Sequence, residues 1–221
     1  MNLNDSKICF IGAGNMAACI MGGLIDNGFQ AEQLIASAPS ENSLKKLKDT
    51  LNIQTETSNQ QAIAEADIVV LSVKPQVLQS VCEEISNSLT HKPLIISIAA
   101  GISIDSIDSW LGGSLPIIRC MPNTPSQVLK GASGLIANQQ VVMDQKQATS
   151  KLFSAIGIVE WVEDESLMHT VTALSGSGPA YIFLVIEAME AAAIKQGLSP
   201  ETARKLAAQT VAGAAEMVLK S

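Results

Sequence analysis

Residues 7–17 read Lys7-Ile8-Cys9-Phe10-Ile11-Gly12-Ala13-Gly14-Asn15-Met16-Ala17. A short apolar run stops at a glycine, and a Gly-x-Gly-x-x-Ala turn leads into a helical pattern over residues 17–27 that closes at Gly28, a favourable residue just past a helix end. In a strand–turn–helix unit each position of such a turn has a task. Gly12 makes the tight turn, Gly14 lets a pyrophosphate approach the backbone, and Ala17 is small enough for the helix to pack on the strand. The helix N-terminus then offers free N–H groups and a partial positive charge to phosphate. The bland alternative is a glycine turn in a domain of the same kind that holds no nucleotide.

Working outward, the alternation continues. Residues 33–37, 67–73 and 94–98 are short apolar runs, and 116–119 begin another; the run DIVVLSV at 67–73 is rich in β-branched residues of the kind buried on both faces of a parallel sheet. Between them lie helical patterns over 41–51, 77–89 and 103–111, the last with Ser103 as its N-cap. Strands separated by helices of ~10–15 residues indicate βαβ units with right-handed crossovers. The reading is α/β: a Rossmann-type doubly wound parallel sheet over residues 1–163, followed by an incomplete all-helical C-terminal domain over 164–221. In that second part, residues 179–196 form an alanine-rich helix ending at Gly197, and Ser199-Pro200 cap and open another. The last helix carries Ala203, Leu206, Ala207, Thr210, Ala214, Met217 and Val218 at helical spacing, and Ala208, Ala212 and Ala215 elsewhere round it. Small apolar residues on most of its circumference imply burial on more than one side, hence a partner subunit.

Composition narrows the function. The chain has 221 residues, 47% hydrophobic and 16% charged, with a net charge of −7. That is enough to bury a core, and the acidic balance argues against tracking a nucleic-acid backbone, which needs Lys and Arg to replace counterions. Cys9, Cys19, Cys82 and Cys120 form no CxxC pair and sit among apolar residues, so they read as buried reduced thiols. His91 and His169 have no partner at metal-ligand spacing and read as structural or exposed, so no metal is expected. No leader precedes the first strand, and the apolar helix over 180–193, broken by Glu187 and Glu190, reads as too short and too charged for a bilayer. A soluble, cytoplasmic protein is expected.

The end of the second strand bears on the cofactor. Domains specific for NAD usually carry an acid there for the ribose 2′-OH. Here stand Ser37, Ala38, Pro39 and Ser40, with no acid before Glu41; nothing repels a 2′-phosphate, and two hydroxyls could bond to it. No Arg is ready, the nearest cations being Lys45 and Lys46. NADP is favoured, with NAD possible.

Further segments complete a pattern: Val73-Lys74-Pro75 after the DIVVLSV strand, Ala99-Ala100-Gly101 after the next, then Met121-Pro122-Asn123-Thr124-Pro125 and Ser175-Gly176-Ser177-Gly178-Pro179-Ala180-Tyr181. In order and spacing, from about residue 7 to 221, these resemble pyrroline-5-carboxylate reductase, whose members reduce a cyclic imine to proline with hydride from NADPH or NADH. The resemblance implies that Ile11, Gly12, Gly14, Asn15 and Met16 hold the pyrophosphate. Ser37, Ala38 and Ser40 lie towards the adenosine ribose, and Asn59, Val73, Lys74 and Pro75 line the cofactor cleft. Ala99, Ala100 and Gly101 sit by the nicotinamide, and Asn123, Ser177 and Gly178 serve the substrate. Lys74 also reads as an exposed loop lysine, and Asn123 with Thr124 as ordinary turn chemistry before Pro125. The helix N-terminus at Ser177-Gly178 could hold the substrate carboxylate or be a plain cap.

The family continues past Ser221 with further helices and a Ser/Gly/Thr-rich segment that touches substrate and interlocks two subunits. The resemblance therefore implies that a form ending at Ser221 binds NADP(H) but reduces the imine weakly or not at all. No catalytic residue is assigned. Other imine or β-hydroxyacid reductases share the glycine loop, although a hydroxyacid enzyme needs a base, typically a lysine on the helix that here spans 180–193 and has none. A non-catalytic NADP-binding protein is the alternative of another class.

Overall fold

A computed structural model describes the chain from Leu3 to Ser221, the side chain of Asn4 excepted. The strands are β1 (Ile8–Ile11), β2 (Leu34–Ser37), β3 (Gln54–Glu56), β4 (Ile68–Leu71), β5 (Leu94–Ser97), β6 (Ile117–Met121), β7 (Gly131–Ala137) and β8 (Gly157–Trp161). The helices are α1 (Asn15–Asp26), α2 (Glu41–Leu51), α3 (Asn59–Ile63), α4 (Pro75–Ile85), α5 (Ile104–Trp110), α6 (Met143–Ser154), α7 (Leu167–Val171), α8 (Gly178–Lys195) and α9 (Pro200–Lys220). The strands make one sheet in the order β3-β2-β1-β4-β5-β6-β7-β8.

In the run β3-β2-β1-β4-β5-β6 every pairing is parallel, with Ile11 opposite both Ser37 and Leu71. This is the doubly wound order, and the strand order reverses beside β1, which opens a crevice at the strand C-termini. β7 returns antiparallel to β6, and β8 then runs parallel to β7. β1, β4 and β5 are buried along their whole length, as their unbroken apolar runs require. Alternate residues feed the two sides: Ile8 and Phe10 join the core with Ile20, Met21 and Phe153, while Cys9 and Ile11 join Leu78, Cys82 and Ile85 of α4. Each such fully buried side chain contributes roughly 1.5–3 kcal/mol.

Local chemistry sets the helix ends. Ser40, Ser58, Ser103 and Ser199 each accept a backbone N–H of the first turn. Asn52 ends α2 in the left-handed region (φ 53°), and Gly28 follows α1 at φ +88°.

By internal contacts the chain forms two compact units, residues 1–176 and 177–221. In the second, α8 and α9 pack together with Ala203 and Ala207 buried and an Arg204–Glu190 ion pair at 3.6 Å. One expectation is overturned. The helical run is Leu167–Lys195, 29 residues with mean hydropathy 1.3 in its apolar window, which is long and apolar enough to cross a membrane. The Ser-Gly-Ser-Gly-Pro stretch, which reads as a fresh helix start, is entered through a π turn at Thr172–Gly176, and Ser177 already has helical torsions.

Candidate functional site

The glycine loop is built into the sheet edge. The Gly12 N–H donates to the Ser37 carbonyl at 2.7 Å, and the Ser72 N–H to the Ile11 carbonyl at 2.8 Å. The Ser72 hydroxyl also reaches the Ile11 and Gly12 carbonyls, both at 2.9 Å. At Gly12 (φ +107°) a Cβ would lie 2.7 Å from the Ser72 carbonyl oxygen, so both torsion and space demand glycine. Gly14 is different. Its torsions are ordinary (φ −82°, ψ 175°), and a Cβ there would meet nothing within 4 Å. No internal demand explains this glycine, whereas a phosphate seated at the N-terminus of α1 does, because a side chain would occupy its place.

The ends of β2, β4 and β5 bring the other predicted cofactor residues to the same sheet edge. Ser37 is fully buried and its hydroxyl donates to Asn59 Oδ1 at 2.7 Å, while Asn59 Nδ2 donates to Glu84 Oε2 at 3.0 Å. The Ser37 hydroxyl is thus spent inside the protein, which corrects the expectation that it could bond a 2′-phosphate. Ser40 is exposed at the N-cap of α2, its Oγ accepting the Ser43 N–H at 3.4 Å, and Ala38 is buried. Lys74 is exposed at the N-cap of α4 with Pro75 at the first helical position, and Val73 is half-buried. The Ala99 N–H donates to Ser97 Oγ at 3.3 Å, Ala100 is exposed, and Gly101 (φ +77°) has open space at its Cβ.

Two participants escape a reading along the sequence. Ser72 passes for one polar residue in an apolar run, yet it ties β4 to the glycine loop. Glu56 lies beside Ser37 in the sheet, an acid supplied by the neighbouring strand; its carboxylate accepts the Thr57 and Ser58 N–H groups at 2.7 and 3.2 Å. Strand pairing, invisible in local sequence, brings it there.

Asn123 follows β6 and is buried. Its Nδ2 donates to the Ser175 carbonyl and its Oδ1 accepts the Ala132 N–H, both at 2.9 Å. Ser177 and Gly178 belong to the second compact unit, at the start of α8. Ser177 is the N-cap residue of α8, its side chain makes no cap bond, and Pro179 stands in the first turn, a favoured place for proline at a helix start. A cavity of about 710 Å³ runs along α1 beside residues 126–129 and meets the glycine loop only at Asn15, so the sheet edge, not this cavity, is the candidate site.

Comparison with known proteins decides the family. The pyrroline-5-carboxylate reductase of Pseudomonas aeruginosa is 49% identical over 219 residues, 99% of this chain and 80% of that protein. The chain belongs to the pyrroline-5-carboxylate reductase family. Residues 165–221 match the family model for pyrroline-5-carboxylate reductase dimerisation, and residues 7–101 the model for NADP oxidoreductase, coenzyme F420-dependent. The solved pyrroline-5-carboxylate reductase of Coxiella burnetii is 46% identical with a TM-score of 0.94, covering 98% of this chain and 80% of that one. The Plasmodium falciparum enzyme, solved with NADP bound, is 32% identical with a TM-score of 0.89, covering 100% and 81%. As in its relatives, then, a Rossmann-type domain precedes a helical region, and the match to a dimerisation model supports homo-oligomerisation of the family member.

Proposed function

We propose that the chain reduces 1-pyrroline-5-carboxylate to L-proline with hydride from NADPH, NADH being an alternative donor, as a step of proline biosynthesis. Family membership supplies the substrate. The observation that carries the cofactor is Gly14, a glycine that neither its torsions nor its neighbours require, at the switch point of a doubly wound sheet. In this reading residues 1–163 bind the dinucleotide and residues 164–221 serve substrate and subunit contact. Ile11, Gly12, Gly14, Asn15 and Met16 hold the pyrophosphate, and Ala38 and Ser40 flank the adenosine ribose, with Ser37 and Asn59 bracing that edge. Val73, Lys74 and Pro75 line the cleft, and Ala99, Ala100 and Gly101 face the nicotinamide. Ser177 and Gly178 lie by the substrate.

The cofactor supplies the hydride. The chain's own task is to orient a protonated imine, already electrophilic, against the donor and to exclude water; such positioning can supply much of the acceleration without an acid–base pair. A 3-hydroxyacid reaction instead needs a base, and residues 180–193 offer no lysine. We further place the enzyme in the cytoplasm as a homodimer or larger homo-oligomer joined through the C-terminal helices, engaging neither nucleic acid nor membrane. Free thiols, buried at Cys9, Cys82 and Cys120 and half-buried at Cys19 against the expectation of burial, suit a reducing compartment, and subunit contact accounts for the apolar helices. The test is NADPH oxidation with pyrroline-5-carboxylate, with a 3-hydroxyacid as control. Tight NADPH binding without turnover of either would leave the non-catalytic alternative.

A further inference from the structure

We propose that Asn123 is a positioning residue: its carboxamide fastens the π turn Thr172–Gly176 to the β6–β7 edge of the sheet, and the fastened turn sets the geometry of hydride transfer. This rests on the reductase reading above.

A π turn departs from the i→i+4 ladder, and three side-chain bonds hold this one, two to carbonyls of the preceding α7 and one to a carbonyl of the turn itself. Thr172 Oγ1 donates to the Met168 carbonyl at 2.7 Å, and Ser175 Oγ to the Val171 carbonyl at 2.9 Å. Asn123 Nδ2 donates to the Ser175 carbonyl. The orientation of the Asn123 amide follows from its partners, because Ala132 N–H requires an oxygen and Ser175 C=O requires an N–H.

The sheet is shaped to receive the turn. A Cβ on Gly176 would lie 2.7 Å from Met121 Cε, and one on Gly134 of β7 would lie 2.5 Å from Val171 Cγ1. Both glycines make room for a close approach. Met121 ends β6, the neighbour of β5, whose end leads into Ala99-Ala100-Gly101. The seat of the turn therefore adjoins the edge assigned to the nicotinamide. Asn123 is buried with its oxygen and one N–H engaged within the fold, the bonding of a brace rather than of a residue reserved for a ligand.

Two variants separate the roles. Asn123→Asp keeps the acceptor for Ala132 and sets a carboxylate oxygen, an acceptor with charge, against the Ser175 carbonyl, whereas Asn123→Leu removes both polar groups at similar volume and adds no charge. Hydrogen exchange is followed in peptides covering the turn and β7, with NADPH bound, beside kcat and KM for pyrroline-5-carboxylate and the NADPH Kd. In Asn123→Asp the turn should exchange about tenfold faster while the Ala132 amide stays protected. Turnover, kcat, should fall about 10- to 100-fold, with KM and the NADPH Kd each within about threefold of the parent. In Asn123→Leu, Ala132 should lose protection as well. Unchanged exchange with a raised KM would overturn the proposal in favour of direct substrate contact, and a weakened NADPH Kd would overturn it in favour of cofactor contact. Where the parent turns over no imine, exchange in the turn alone decides whether Asn123 holds it; unchanged exchange in both variants sinks the bracing role.

Discussion

Gly12 and Gly14 share a motif but answer to different demands, and mutation should tell them apart. Gly12→Ala forces a side chain into positive φ and against the Ser72 carbonyl, so it should destabilise the fold by about 1–3 kcal/mol or more. Gly14→Val meets no protein atom near its Cβ, so denaturant unfolding should change little while NADPH binding weakens by roughly 100-fold or more. Calorimetric affinity equal to the parent's would remove the pyrophosphate from this loop. Cofactor choice is tested at Ser40, which is exposed and caps α2. Asp caps as well as Ser, so Ser40→Asp should fold normally, and its carboxylate should shift preference from NADPH towards NADH by about tenfold through like-charge repulsion of the 2′-phosphate. Titrating both proteins with both cofactors checks it; unchanged ratios would place the 2′-phosphate elsewhere. The spacing of the glycines was enough to find Gly14 in the sequence. It could not show that the Ser37 hydroxyl is spent on Asn59 or that Glu56 arrives from the next strand, because both depend on strand pairing.

Among the elements, β1, β4 and β5 were legible because strands buried on both faces must be continuously apolar. β3 and the region after β6 were not. β3 is three polar residues, QTE, at a sheet edge, β7 reads GASGLIA with glycines that admit close backbone approach, and β8 alternates between half-buried and exposed positions. The π turn was hidden because Ser-Gly-Ser-Gly-Pro carries every mark of a new helix start. A partly buried ion pair ties β6 to the start of α5 and to the segment before α7. Arg119 of β6, 6% exposed in its side chain, donates to Glu165 Oε1 at 2.9 Å, and the same oxygen accepts the Ile104 N–H at the start of α5 at 2.8 Å. Glu165→Ala strands the guanidinium in the core and should cost about 3–5 kcal/mol. Arg119→Met should cost less, since Glu165 keeps its bond to Ile104 and partial access to water. Equal losses in urea unfolding would mean that the pair's value lies in packing rather than charge.

At the scale of the whole molecule, two properties belong to no single element. Burial pushes the thiols of Cys9 and Cys82 up to about 12, with Glu83 adding to the effect at Cys82. A raised pKa favours the protonated form in the fold, so this contribution is complete below the unfolded value of about 8.5–9 and is lost as pH rises towards 12. Stability should fall across that window, and Cys9→Ala/Cys82→Ala should flatten the fall; an unchanged slope would assign it to other groups. The second property is the apolar surface of α8 and α9. Tyr181, Ile182, Phe183, Leu184 and Val185 stand exposed in succession on α8, and Met217, Val218 and Leu219 near the end of α9. Soluble monomers rarely leave so continuous a patch open to water. Both a bilayer and a second subunit could cover it, but Glu187 and Glu190 lie within the same helix, and residues 165–221 match a dimerisation model. Self-association is therefore expected. Phe183→Glu with Leu184→Asp should lower the sedimenting mass to that of one chain while NADPH binding by the first unit persists. The parent should not float with lipid vesicles. Flotation of the parent would give the patch to the membrane, and an unchanged mass in the double variant would move the subunit contact away from this face of α8.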